Sequence, residues 1–419
     1  MARRYDLLVD GAYLPDRDGI FDIGVSDGRI DAIEPELDAR AETTIDADGH
    51  LVTSGFVDCH KHLDRGLAAI GERRPRGNDE PMTHRSYHEL FDDYYREIPR
   101  TELVERIVEN VEMAVAAGTT HVRSHVTVDH SIGTGTMDAA LEAVERTDDL
   151  VDVELVVAAD GGLADNEGAV RTAIEMAPDD VAVLVGGSDG NLGVRDRGDE
   201  LERWFELAAA YDIGVDVHVT ARESLGVATL EELASLTDAY DLGGDVTAVH
   251  AYALAMIPEW RLADIAETLR TSGVNVVTCF NSTRSSMPIR ELLDAGVSIA
   301  HGTDNDRDFV VPHGNADPLE AAQILSLKLN YGPEIRRPTR EYRWYDTNRA
   351  LRALWRLVTE QGASALDVDG YGIATGTPAD LVVIDAPSPE WAIVDRAERT
   401  HVIKGGRLVA REGTVRPSS

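Results

Sequence analysis

The chain has 419 residues, 43% of them hydrophobic, which is enough to bury one large core and a smaller one. Apolar runs recur from end to end, which excludes a disordered polymer despite a formal net charge of −36. That charge, with lysine only at Lys61, Lys328 and Lys404, is the pattern of a halophilic protein and excludes a nucleic-acid groove, which depends on basic patches.

Two cysteines, Cys59 and Cys279, are too few for a disulfide framework and fit a reduced, cytoplasmic setting. After Arg3-Arg4 come Asp6 and a strand-like Leu7-Leu8-Val9, so no signal peptide is expected. No stretch reaches the roughly 18 uninterrupted apolar residues of a membrane span.

Residues 1–50 read as short strands: Tyr5 to Val9, a Gly-Ala-Tyr segment, Phe21 to Val25, an Asp27-Gly28 hairpin signal, then Arg29 to Ile33. From 51 to 374, eight apolar runs end near His60, His125, Asp160, Gly187, His218, His250, Cys279 and Thr303, with amphipathic helical patterns between them. The clearest helix spans 101–117, where Leu103, Ile107, Val108, Val111, Ala114 and Val115 share a face and Gly118 supplies the cap. Trp204, Phe205 and Leu207 read as core packing before the fifth strand. Residues 375–419 return to β patterns at Asp380 to Ile384 and His401 to Val409, the latter around a Gly-Gly turn. The expected fold is α/β: a (β/α)8 TIM barrel of the metallo-dependent hydrolase kind, with a small β-sandwich built from both terminal segments. An open doubly wound sheet is the alternative.

Chemistry in such a barrel sits at the C-terminal ends of the strands. His60 and His62 lie two apart at the first strand end, so both side chains point one way. His218 and His250 close the fifth and sixth strands, and Asp304 follows the eighth. Three imidazoles and a carboxylate suit Zn²⁺ or Fe²⁺, with a coordinated water as nucleophile. Cys59 faces away from this set.

With these positions, and with Thr120-His121-Val122-Arg123-Ser124-His125-Val126 and Val246-Thr247-Ala248-Val249-His250, the chain resembles the amidohydrolase superfamily over nearly its whole length, the cytosine deaminases most closely. The resemblance implies one divalent metal ion, Zn²⁺ or Fe²⁺, held by His60, His62, His218 and Asp304, with His250 beside the bound water. No lysine between Lys61 and Lys328 can supply the carboxylated bridge of two-metal members. It implies deamination of an amino-substituted N-heterocycle: Asp304 accepts a proton from the water, hydroxide attacks an sp² carbon, and the departing nitrogen is protonated. A small-molecule substrate and a homo-oligomer also follow from it, and no nucleic-acid or membrane partner.

The pattern breaks twice. Cytosine deaminases carry a glutamate proton shuttle three residues after the fifth-strand histidine, where this chain has Ala221; Glu223, two residues on, is the candidate replacement. Their third-strand glutamine, which reads the pyrimidine edge, is replaced by Asp160, an acceptor suited to amino-rich or cationic groups. Asp160, His250 and Asn305 are therefore the candidate substrate-binding residues. An N-alkyl aminotriazine or cyclic amide is the alternative substrate, and a catalytically silent metal-binding scaffold the alternative of another class. His125 is either a partner of the metal ligands or a hydrogen-bonded structural residue. Arg65, Arg73, Arg74 and Arg76 read as a solvated loop with a possible role in contacting an anionic substrate.

Overall fold

The computed structural model describes residues 3–68, 87–159, 161–189, 197–279, 287–331 and 347–416. Eight parallel strands follow one another in a single sheet: β6 (Phe56–Lys61), β7 (Thr119–Thr127), β8 (Asp152–Ala158), β9 (Val183–Ser188), β10 (Val215–His218), β11 (Val246–Val249), β12 (Asn275–Cys279) and β13 (Ile299–Gly302). Helices intervene, and β6, β10, β11, β12 and β13 are buried on both faces, as a parallel sheet covered by helices requires. The sheet is a nearly closed barrel. At its seam β6 and β13 meet through one bridge, Lys61 to Asp304, where the Asp304 N–H donates to the His60 carbonyl at 2.8 Å. This is the expected (β/α)8 architecture.

The helix expected over 101–117 spans Arg100–Ala116 and buries Leu103, Ile107, Val111, Ala114 and Val115. Gly118 turns the chain at φ +99°, one residue beyond the Ala117 cap. Trp204, Phe205 and Leu207 are core residues of the helix Arg197–Tyr211. Cys59 points outward from the barrel, its thiol near the Gly362 carbonyl.

The termini meet in a separate mixed sheet. It comprises β1 (Arg3–Leu14), β2 (Gly19–Ser26), β3 (Arg29–Glu34), β4 (Ala39–Asp46), β5 (Leu51–Ser54), β14 (Leu381–Ile384), β15 (Arg399–Lys404), β16 (Arg407–Arg411) and β17 (Thr414–Val415). β5 and β14 pair antiparallel and join the two halves, while Leu7, Val9, Ile23, Val25, Leu381 and Ile403 form a core of their own. Asp27 and Gly28 take φ of 50° and 73° in the β2–β3 hairpin, and Gly405 and Gly406 take 53° and 75° between β15 and β16, as tight hairpin turns demand. Two strands expected at the N-terminus are one strand, β1, whose register shift between Val9 and Ala12 absorbs Gly11 at φ 68°. β4 went unread because it is mostly polar and half exposed, with no clean alternation. No helix among the described residues is long and apolar enough to cross a membrane.

Candidate active site

Side chains two apart on a strand share a face, and in a barrel that face is the interior. Asp58, His60 and His62 rise along β6 and just beyond it, and Asp216 and His218 along β10; all are buried. His250 follows β11 directly and Asp304 lies two residues beyond β13; they take φ of 68° and 64°. Such left-handed backbone is uncommon outside glycine and concentrates where structure is held for function. Here the His250 N–H donates to Val277 and the Asp304 N–H to His60, each at 2.8 Å, so strand-end hydrogen bonds hold both residues in place.

The five residues converge. His60 Nε2 and His62 Nε2 each lie 3.5 Å from Asp304 Oδ1, His218 Nε2 lies 3.2 Å from His62 Nε2, and His250 Nε2 lies 3.9 Å from Asp304 Oδ2. Four ligands about 2.05 Å from a tetrahedral ion would stand about 3.3 Å from one another, so these separations are those of a metal's ligand edges. His60 Nε2, which points to the centre, is buried without a hydrogen-bond partner, a costly arrangement unless something else takes its lone pair. Burial drives His62 and His218 well below the ordinary histidine range, with the Arg65 guanidinium adding to the effect at His62 and the neighbouring His125 at His218. Burial brings His250 down to about 4 against the opposing pull of Asp304. All three are thus neutral imidazoles, the form that binds a metal. His218 Nδ1 donates to the Gly187 carbonyl at 3.2 Å, which turns Nε2 toward the centre. The residues present fit a divalent ion.

A second layer holds this one. The Lys61 ammonium, fully buried at the seam, donates to the Asp306 carboxylate and, at 3.2 Å, to Thr303 Oγ1. Asp58 accepts the Thr303 N–H at 2.8 Å and also its hydroxyl; burial pushes the Asp58 carboxyl up, against the pull of Lys61. Below His218, Asp216 accepts from His125 Nε2 at 2.9 Å with Arg123 3.5 Å away. Burial alone would raise the Asp216 carboxyl, but His125 and Arg123 bring it below the usual range. The His125 ring packs edge-on against His60 and His218, with centroids 4.7 and 4.2 Å apart. Its contacts fit both readings of His125, since it is hydrogen-bonded to Asp216 and also packs against the candidate ligand histidines.

Asn305 donates its amide to Asp304 Oδ1 at 2.5 Å and orients that carboxylate. Glu223 is exposed, at the start of the helix Glu223–Tyr240, and no described contact brings it to the histidines. Ala221 stands half-buried in the loop after β10, where Asp189 accepts the backbone N–H groups of Thr220 and Ala221 at 2.7 and 3.0 Å. Asp160, Arg73, Arg74 and Arg76 lie outside the described residues. Arg65, read from sequence with a solvated loop, is instead buried, and its Nη2 stands 2.6 Å from His62 Nε2.

Lys61, Asp216 and Asp189 were missed as supporting residues. The period-two rule that found the histidines marks Asp58 and Asp216, each two residues before a ligand histidine. Nothing local marks Asp189, or the Lys61–Asp306 pair, which is 245 residues apart in sequence.

Comparison with known proteins agrees with this geometry. A model described as Amidohydrolase family matches residues 108–410. The N-isopropylammelide isopropyl amidohydrolase of Pseudomonas sp. (strain ADP) is 35% identical, covering 99% of this chain and 100% of that one. A pterin deaminase of Rhizobium rhizogenes is 27% identical, over 95% of this chain and 90% of its own length. Among solved structures, N-isopropylammelide isopropylaminohydrolase from Burkholderia multivorans superposes with a TM-score of 0.84 at 26% identity, covering 98% of this chain and 99% of that one. 5-Methylcytosine deaminase from Klebsiella pneumoniae gives 0.80 at 26% identity, over 96% and 98%. The chain therefore belongs to the amidohydrolase family and is a metal-dependent hydrolase of carbon–nitrogen bonds.

Proposed function

We propose that this hydrolase cleaves an exocyclic C–N bond of a nitrogen heterocycle and releases an amine, with an N-alkylamino ring as the first candidate and an amino ring, losing ammonia, as the second. The observation that carries the order is Ala221. A family deaminase would hold a carboxylate there, and its absence costs about 10²- to 10⁴-fold unless the leaving group needs little help or another residue supplies the proton. An alkylamine nitrogen is more basic than that of ammonia and captures a proton more readily, and a methyl side chain leaves room for its alkyl group. The relative from Pseudomonas, named for release of an isopropyl amine, supports the same order.

His60, His62, His218 and Asp304 would hold a single Zn²⁺ or Fe²⁺, which acidifies a coordinated water and polarises the ring carbon. Asp304 is then the base: its Oδ1 is fixed by Asn305, and its Oδ2 faces His250. The proton it accepts is delivered to the departing nitrogen. His250, neutral at working pH, can accept or donate one hydrogen bond at the reacting centre without bringing a charge to it. Asn305 Oδ1, buried without a partner, is available to a ring N–H.

The test is release of ammonia and alkylamines from aminotriazines, N-alkyl aminotriazines, aminopyrimidines and cyclic amides, with metal content determined on the same preparation. High salt suits a chain of net charge −36. Release from N-alkyl rings in preference to amino rings supports the proposed order, and the reverse preference sinks it. His60→Ala and Asp304→Ala are expected to lose both metal and turnover. Tight binding of two equivalents per chain would refute the single-metal assignment, and a metal-loaded protein inert to the whole panel would favour a silent scaffold.

A further inference from the structure

Three large apolar side chains that stand in solvent gather on one face, away from the metal centre. Trp391 and Val394 are 54% and 47% exposed on the helix Pro389–Asp395, and Leu327 is 51% exposed on the helix Pro318–Tyr331. Gln323 donates its amide to the Val394 carbonyl at 2.6 Å, and Leu327 lies one turn further along the same side of its helix, so the three border a common patch. The helix Thr347–Leu357 forms the flank. Its inner side buries Leu351, Leu354 and Trp355, and its outer side exposes a row of Arg349, Arg352 and Arg356, of which Arg352 pairs with Glu390 beside Trp391. Arg396 and Glu320 pair at 2.7 Å across the other two helices. Single exposed apolar side chains are ordinary on a soluble protein, whereas a contiguous group with a half-exposed tryptophan and arginines has the composition of an interface centre.

Charge sets this face apart from the rest of the molecule. The three helices carry four cations against three carboxylates, so the acidic excess of −36 lies wholly on the remainder of the chain. Arg349, Arg356 and Asp395 are exposed and form no ion pair among the described residues. We propose that this face joins two copies of the chain about a twofold axis, with Trp391 near its centre. A twofold contact sets one patch against its own copy, so the patch must complement itself. Here the apolar side chains of the two copies cover one another, and Arg349 and Arg356 of one protomer have the partner's Asp395 to meet. Over the rest of the surface two copies would bring acid against acid; at this face the opposed charges nearly balance. An anionic membrane or polyanion would leave Asp395 against like charge, so the mixed signs favour a second copy. High salt screens the repulsion between the two acidic bodies and leaves the burial of apolar surface in force.

Sedimentation equilibrium of the full chain in about 2 M KCl, where charges are screened beyond about 3 Å, reads the association. The parent is expected to sediment as a dimer or a multiple of one. Trp391→Glu, with far-UV dichroism and metal content unchanged, is expected at half that mass, or with affinity lowered about 100-fold. Reversing both free arginines, as Arg349→Glu with Arg356→Glu, is expected to weaken association about 10-fold, and adding Asp395→Arg to restore most of it. The proposal is overturned by a parent that stays monomeric at about 100 µM, by an assembly that survives both Trp391→Glu and Val394→Asp, or by a triple charge variant that associates no more tightly than the double. Flotation with phosphatidylglycerol vesicles at the same salt supplies the other arm. Vesicle binding by the parent that Trp391→Glu abolishes would give the face to a lipid surface and overturn the second copy.

Discussion

Replacing Lys61 by methionine tests whether the seam of the barrel holds the metal centre together. Lys61 sits between His60 and His62, its side chain fully buried, and its partner Asp306, equally buried, is two residues beyond Asp304. The pair therefore joins the strand that carries two candidate ligands to the loop that carries a third. In Lys61→Met the Asp306 carboxylate keeps the Ala316 N–H, 3.1 Å away, and loses its cation. Removing one member of such a buried pair costs about 3 to 5 kcal/mol, because the other charge stays behind uncompensated. Substituting both, as Lys61→Met with Asp306→Leu, removes that charge as well and is expected to recover at least about 2 kcal/mol of the loss. Urea unfolding of the metal-free proteins reads the stability term, and competition with a chelator reads metal affinity, which should fall in Lys61→Met even where the fold survives. The reasoning fails if the single substitution costs under about 1 kcal/mol, or if the double variant loses the sum of the two singles, since either result means that the charges are not coupled.

Asp216→Asn keeps the shape below His218 and removes the carboxylate that binds His125; metal affinity should drop about 10- to 100-fold with the fold retained, and an unchanged affinity would show that this layer does not steer the ligands. Glu223→Gln should change kcat/KM by less than about twofold, because Glu223 is exposed; a loss of about 100-fold or more would mean that it reaches the centre during turnover. In metal-free protein, His62 and His218 lie well below the usual range and His250 and His301 at about 4, so between about pH 4 and 6.5 the unfolded chain holds protons that the folded one does not, and stability rises with pH. Two carboxyls raised by burial, Asp58 and, at about 7, Asp308, act in the opposite sense, so the rise with pH is smaller than the four histidines alone would give. Urea midpoints that stay flat or fall with rising pH across that window would contradict it.

What could be read from the chain is what local rules determine. Alternation of period two gives the face on which His60, His62 and His218 lie, and the C-terminal end of a barrel strand is where such a face opens to a ligand, whereas His250 and Asp304 stand past their strands and were placed by the family resemblance. Asp27-Gly28 and Gly405-Gly406 declare their hairpins because the turn itself needs positive φ. Where a side chain meets a partner from elsewhere in the fold, a strand pattern says which face it uses and nothing about who stands opposite. Asp216 lies 91 residues from His125, and Asp306 lies 245 from Lys61. Arg65 shows the consequence: five consecutive residues after a strand look like the start of an open loop, and Ser124, Thr127, Tyr95, Asn110 and Asp306, from elsewhere in the chain, make them a fixed turn.

The distribution of lysine separates the composition of the surface from that of the interior. Only three lysines occur in a chain that otherwise uses arginine for its cations, and two of them are buried. Lys61 is held by Asp306 and Thr303, and Lys404 by Asp152 and Asp380 at 2.6 and 2.7 Å. Each ties separated parts of the fold: Lys61 the two edges of the barrel, Lys404 the terminal sheet to the start of β8. A compact ammonium with three rotatable donors fits a closed pocket between two oxygens, where a planar guanidinium brings more volume and more donors than such a pocket can satisfy. The buried arginines Arg106 and Arg123 instead spread their donors over two partners each, Tyr94 and Glu102 for the one and Glu154 and Thr247 for the other. Whatever drives lysine off the surface of this protein therefore stops where geometry needs a point charge, as it does at Lys61.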